Sequence, residues 1–260
     1  MVVNQVRRAI GLYRKLRDAG LDVLLLHSRF NYSDRARIEN QLEPKRGRIL
    51  VATQAVEVSL NVSFDECFSD IAPLESLQQR FGRCNRRGNL PKAAPVTVCY
   101  KCSPLPYDIE HLQAVLAVLK RCCDGSDQVL LTEELTTSLL DSSYPEGMKI
   151  RLKESILSSL ADLTRYVVNE FTPYGPRDIE QQQDLEKRWQ DLFDGEEILP
   201  DVLLEKARRE PTWLGRARYL VPVPSYWMRR LNAEWNEELM CLVAPADYST
   251  ETGIELRLGK

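Results

Sequence analysis

The sequence predicts an α/β fold: a doubly wound parallel sheet with flanking helices, then a helical stretch, then a small mixed α+β unit. Three observations carry this. Short apolar runs at Val23–Leu26, Arg48–Ala52, Glu66–Ile71 and Val96–Tyr100 alternate with helix-period segments, as strands buried on both faces do. From Tyr107 the apolar period turns helical, with stripes at Leu112, Val115, Leu116, Leu119 and at Leu152, Ile156, Leu160, Leu163, Val167, which are expected to be core. After Pro200 short strands near Tyr219–Val223, Leu239–Val243 and Ile254–Leu258 are separated by turn residues.

Taken in order, Val2-Val3 reads as the end of a strand, so the chain is expected to start inside the first strand of a domain. Asn4 is placed to cap a helix whose apolar side is Val6, Ile10, Tyr13 and Leu16, ending at Gly20. Val23–Leu26 then delivers Ser28, Arg29 and Phe30 to its carboxyl end, where open α/β sheets place ligand contacts. His27 reads as a core histidine. Ser33 can cap a second helix with Ile38 and Leu42 on one face. Pro73 and Gly88 bracket a short helix carrying Arg80, Arg83, Arg86 and Arg87. Arg80, Arg83 and Arg86 share one side at three-residue spacing, and no carboxylate lies between residues 76 and 88. Rigidly held guanidinium groups suit phosphate recognition. Further on, Gly125-Ser126, Ser142–Gly147 and Pro173–Pro176 mark loops, and Ile179–Phe193 reads as a helix with Leu185, Trp189 and Leu192.

Composition bounds the function. The 260 residues are 43% hydrophobic and 28% charged, an ordinary globular balance. No apolar run is long enough to span a bilayer and no signal-peptide pattern opens the chain, so a cytoplasmic protein is expected. The net charge of -3 conceals an asymmetry: residues 1–103 hold 17 Lys and Arg against 10 Asp and Glu, and residues 104–260 hold 18 against 28. The basic front suits a phosphate-rich partner. Seven cysteines lack disulfide-framework spacing. Cys99-x-x-Cys102 with Cys122-Cys123 departs from the usual zinc knuckle pair, and no metal site is assigned.

Val51-Ala52-Thr53-Gln54, Glu57-Val58-Ser59-Leu60, Asp65, Ala72-Pro73 and Gln79-Arg80-x-Gly82-Arg83-x-x-Arg86 together resemble the last two conserved motifs of superfamily-two helicases. More narrowly, they resemble the CRISPR-associated helicase–nuclease of type I systems. The likeness begins with Val3-Asn4 and Leu24–Phe30 followed by Asp34-Arg35. It continues weakly through Leu192-Phe193-Asp194, Ile198–Pro200, Tyr219–Pro224, Tyr248 and Gly253-Ile254. It implies a second RecA-like domain over residues 1–123, a helical connector over 124–193 and a carboxyl-terminal domain over 194–260. Carried over by position, Arg83 and Arg86 would be arginine fingers. Gln79, Arg80 and Asn61 would line the nucleotide face. Ser28, Arg29, Thr53 and Gln54 would contact the single-stranded DNA backbone. Asn61 and Ser63 stand where the family usually has acids, which leaves that segment uncharged.

The sequence lacks a Gly-x-x-x-x-Gly-Lys-Ser/Thr phosphate loop. Asp65-Glu66-Cys67-Phe68 only imitates the acidic motif of a first domain. With His27 and His111 as the sole histidines, a histidine–aspartate nuclease centre cannot be assembled. The resemblance therefore implies a helicase half that uses ATP with Mg²⁺ only when completed by a first RecA-like domain. A nuclease domain, on the same or a separate chain, and the CRISPR surveillance complex are the other implied partners. Two alternatives stand beside it: a separately translated, non-catalytic module that binds DNA or the surveillance complex, and half of another superfamily-two (RNA) helicase.

Overall fold

The computed structural model describes residues 1–42, 47–57, 60–123, 128–171 and 195–256. The expected helix at 179–193 and the loop at Pro173–Pro176 lie outside these residues.

The front of the chain builds one parallel sheet. Strand β1 (Val23–Leu26) pairs with β2 (Ile49–Ala52), and β3 (Cys67–Asp70) pairs with β4 (Val96–Cys99). The first three residues join the two pairs. Val3 N–H donates to Ala52 O at 2.9 Å, Val2 N–H to Phe68 O at 2.7 Å, and Asp70 N–H to Val2 O at 2.8 Å. Val2 thus bridges Ala52 on one side and Ser69 on the other, in a central position, as its reading as strand requires. Leu26, Val51 and Ala52 have no exposed surface, which is why these strands are continuous apolar runs.

Helices cover this sheet. α1 (Val6–Asp18) turns Ala9, Ile10 and Tyr13 inward against β1 and β2, and α2 (Tyr32–Asn40) contributes Ile38. Two caps differ from expectation. The residue at the amino end of α1 is Gln5, without a side-chain cap, because the Asn4 side chain is engaged elsewhere. Asn31, not Ser33, caps α2, its Oδ1 accepting from Asp34 N–H at 2.7 Å. α3 (Leu74–Phe81) packs Leu74 and Leu77 against α4 (Ile109–Cys123) and α5 (Glu133–Ser142), through Leu112, Val115 and Leu139.

α6 (Glu146–Phe171) corrects a second expectation. Leu152, Ile156 and Leu160 are 46%, 59% and 52% exposed; the stripe expected to be core has no covering element among the described residues.

The last part is a four-stranded sheet in the order β6-β5-β8-β7, from β5 (Glu196–Pro200), β6 (Val221–Val223), β7 (Glu234–Asn236) and β8 (Cys241–Ala244). Helices α7 (Leu204–Arg208), α8 (Trp213–Ala217) and α9 (Ser225–Leu231) interleave with it. A hairpin of β9 (Ala246–Ser249) and β10 (Gly253–Leu256) follows. The hairpin docks on the end of β1. Ile254 N–H donates to Arg29 O at 2.9 Å, and Tyr248 Oη donates to Asp34 at 2.8 Å while accepting from Asn31 N–H at 3.1 Å. Gly253, at φ +73°, makes this closeness possible: a Cβ there would fall 2.3 Å from Arg29 O.

Candidate functional site

The polar ends of the central strands and α3 share one buried network centred on Arg80. Its guanidinium donates to Glu57 Oε1 (2.8 Å), Ser69 Oγ (2.9 Å), Asp70 O (3.1 Å), Asn4 Oδ1 (3.1 Å) and Tyr107 Oη (3.2 Å). The Arg80 side chain is fully buried and Glu57 is 13% exposed. Asn4 also donates to Ile71 O at 2.7 Å, so both ends of its amide are used and none remains for capping α1. Gln54 joins the network, donating to Asn4 O at 3.2 Å and to Tyr107 Oη at 3.3 Å. Asp70, beside it, is held by Arg8 at 3.1 Å. Burial pushes the Asp70 carboxyl above its usual range, against the pull of the Asn4 N–H and Arg8.

The arginines do not share one helix face. α3 ends at Phe81, and Gly82 is its carboxyl cap. Arg83 follows the helix and is buried, donating to the backbone carbonyls of Val56 (3.1 Å), Leu60 (2.7 Å) and Glu57. It faces inward, not toward an open cleft, because these carbonyls at the end of the β2 loop need donors once removed from water. Cys84 then bridges Phe64, and Asn85 turns the chain with φ 44°. Gly88 N–H donates to Asn85 O at 2.9 Å, and the Asn85 side chain accepts from Leu90 N–H at 2.9 Å. Arg86 and Arg87 occupy the middle of this closed turn and are exposed. Thus Arg80 and Arg83 fasten the turn to the sheet, and Arg86 is displayed by it.

Of the other expected site residues, Gln79 and Asn61 are exposed. Thr53 is buried, its N–H donating to Leu26 O at 3.1 Å. Ser28 is exposed and Arg29 half-buried. The Arg29 guanidinium lies 4.4 Å from the centroid of the Trp227 ring, and burial lowers its pKa. His27 is buried and stacked on Phe30, its Nδ1 accepting from Arg29 N–H at 3.2 Å. Burial, with the Arg29 charge adding, pushes it down to about 3, so it is a neutral core group. Glu57, Asn4 and Tyr107 were not foreseen as partners of Arg80. Glu57 carried the only legible signal, as a carboxylate after an apolar strand.

The structure brings Gln54 and Arg80 together through Asn4 and Tyr107, and ties Arg83 to the same loop. It sets Ser28 and Arg29 apart, at the end of β1 where the carboxyl-terminal hairpin bonds to the Arg29 backbone. Among the described residues, no group of three or more His, Cys, Asp or Glu side chains could hold a metal ion, and no helix is long and apolar enough to cross a membrane.

Comparison with known proteins agrees with this architecture. Residues 1–89 match the family model for the carboxyl-terminal part of the CRISPR-associated nuclease/helicase Cas3. The putative CRISPR-associated nuclease/helicase Cas3 of Methanocaldococcus jannaschii is 27% identical over 252 residues, covering 92% of this chain and 32% of the relative. The crystal structure of T. fusca Cas3-ATP superimposes with a TM-score of 0.65 at 21% identity, over 98% of this chain and 36% of the other. A chain in the pre-nicking CRISPR RNA-guided surveillance complex superimposes with a TM-score of 0.55 at 21% identity, over 98% of this chain and 38% of the other. The chain therefore spans about a third of the length of these proteins and shares its fold with the corresponding part of the solved structures.

Proposed function

We propose, for a chain that belongs to the CRISPR-associated Cas3 helicase family through its carboxyl-terminal region, that it is the second half of an ATP-driven single-stranded DNA motor. The observation that carries this reading is the turn after α3. Arg86 stands exposed on a turn whose base is locked to the sheet by Arg80 and Arg83. A guanidinium so placed can meet the γ-phosphate of ATP bound to a facing RecA-like domain, as arginine fingers do. Arg83, buried beneath the turn and bonded to the carbonyls of Val56, Leu60 and Glu57, would act by holding the turn that presents Arg86. Gln79 and Asn61, both exposed, would offer amide groups to the nucleotide.

The phosphate cradle and the metal would lie in the companion domain, where magnesium neutralises charge on the transferred phosphate. The division 1–123, 124–193 and 194–260 follows the same reading. Nucleic acid would run past Ser28 and Arg29, and Gln54 would sense it through the Asn4–Tyr107–Arg80 network. Docking on a surveillance complex is supported by the likeness to a chain of that assembly.

The exposed Asn61, uncharged where the family has an acid, favours a second reading: a non-catalytic module that binds DNA or the surveillance complex. Steady-state ATPase separates the two. The chain alone should be inactive. Mixing with the first RecA-like domain of a Cas3 relative should produce DNA-stimulated turnover; turnover no greater than that of the added domain alone favours the module.

A further inference from the structure

The turn that displays Arg86 is tied to the sheet by its backbone as well as by its arginines. Phe64 N–H donates to Arg83 O at 2.8 Å, and Asn85 N–H donates to Phe64 O at 2.9 Å. Cys84 is held between these two bonds as the bridge partner of Phe64. Three residues beyond Phe64, Cys67 opens β3, its N–H donating to Pro95 O at 3.1 Å. Cys67 is 5% exposed in the front core, and Cys84 packs against that core half-buried. There the two thiols meet, the Cys84 S–H donating to the Cys67 sulfur. This bond draws the Cys67 thiol down, with the Arg80 charge helping, against the push of burial. Cys102 is different: its S–H is turned to Cys99 O at 3.4 Å, and burial pushes it up.

A sulfur with thiolate character beside a second, more accessible thiol is the arrangement that oxidises reversibly. The whole of α3 lies between the two cysteines. A bond between them closes a loop over that helix. It also fixes the first residue of β3 to the residue that follows Arg83.

We propose that Cys67 and Cys84 form a redox-sensitive clasp that locks the turn bearing Arg86 to the start of β3. The oxidant class is a peroxide, small enough to reach a buried sulfur. Cys67 sulfur attacks one peroxide oxygen; an S–O bond forms, the O–O bond breaks and the other oxygen leaves as water. Cys84 sulfur then displaces the sulfenic oxygen, which leaves as a second water with the Cys84 proton. The two thiols lose two electrons and two hydrogens, and the peroxide gains them. A dithiol reverses the bond by thiol–disulfide exchange. That the locked turn serves ATP rests on the motor reading above; the clasp itself does not.

The test treats the folded chain with one equivalent of hydrogen peroxide, blocks the remaining thiols and maps linked peptides by mass. Limited trypsin digestion follows the turn through cleavage after Arg86 and Arg87, both exposed. Cys67 and Cys84 should be linked, and cleavage in the turn should slow by about tenfold or more, because closing the loop restricts local opening. Dithiothreitol should restore the original rate. Cys84→Ser should be cleaved at one rate with and without peroxide. Cys67→Ala should behave alike, and it controls for any unfolding caused by a polar residue. Linkage of another cysteine pair, or oxidation of Cys67 without linkage, overturns the clasp. Linkage with an unchanged cleavage rate overturns the locking of the turn. Turnover is not measured in any arm, so either failure leaves the motor reading standing.

Discussion

Replacing Arg80 by methionine tests the network that organises the site. The substitution keeps an unbranched stem of similar reach and removes the guanidinium. It deletes the donors to Glu57, Ser69, Asp70, Asn4 and Tyr107 and leaves the Glu57 carboxylate without its cation. Removing one partner of a buried ion pair typically costs about 3–5 kcal/mol. Glu57 retains 13% exposure and can recover some hydration, so the lower end, about 3 kcal/mol, is expected. For a chain of this size that lowers Tm by about 6–12 °C. Glu57→Gln keeps an acceptor for Arg80 but leaves its fully buried charge without a counter-ion, so a comparable loss of about 3 kcal/mol is expected. Urea unfolding followed by circular dichroism reads both variants, with the m-value showing whether only stability changed. A midpoint for Arg80→Met equal to that of the parent would refute the network and return Arg80 to a solvated basic face.

Other consequences follow from the hairpin seam. His27 is held neutral with its pKa near 3, whereas the unfolded chain protonates it near 6.5. Its contribution is therefore complete above pH 6.5 and is lost as pH falls from there toward 3, by about 2 kcal/mol at pH 5. Urea unfolding at pH 7.5 and pH 5 should show the parent losing that much more than His27→Phe; parallel losses would contradict it. Gly253→Ala combines a left-handed backbone with a Cβ 2.3 Å from Arg29 O, so the hairpin must shift. Tm should fall by about 5–10 °C, and Arg29→Ala should not relieve the loss, because the clash is with backbone; an unchanged Tm would show the hairpin docked elsewhere.

The parallel sheet was legible because β1 and β2 are largely buried and therefore carry unbroken apolar runs such as Val23–Leu26. Even Val2-Val3 was readable. β5, β7 and β9 were not, because short strands around Trp235 and Asp247 alternate too briefly to be distinguished from loops. The arginine cluster was found, but its division was not. Sequence spacing places Arg80, Arg83 and Arg86 on one side only if the helix continues to Gly88. Gly82 ends it early, and Asn85 takes the left-handed conformation that reverses the chain. Nor does spacing disclose that Glu57, far from Arg80 in the chain, neutralises it. The α6 stripe misled for a related reason: periodicity identifies an apolar face and says nothing of what covers it. Trp227 under Arg29 joins residues almost two hundred positions apart, a pairing without any local signature.

The motor reading depends on Arg86 acting across a domain boundary. The decisive measurement is steady-state ATPase of this chain combined with a companion first RecA-like domain and single-stranded DNA, comparing the parent with Arg86→Ala, Arg86→Lys and Arg87→Ala. An arginine finger contributes about 10³–10⁵ in rate, so Arg86→Ala should lose at least about a thousandfold. Arg86→Lys should recover little, because an ammonium lacks the planar fork, and Arg87→Ala should be mild. Unfolding midpoints should stay at the parent value, since Arg86 is exposed and has no ion pair among the described residues. Arg83→Ala, which strips donors from three buried carbonyls, should instead lose both turnover and stability. Parent-like hydrolysis by Arg86→Ala in a pair whose parent is active would contradict the assignment of this turn to the nucleotide.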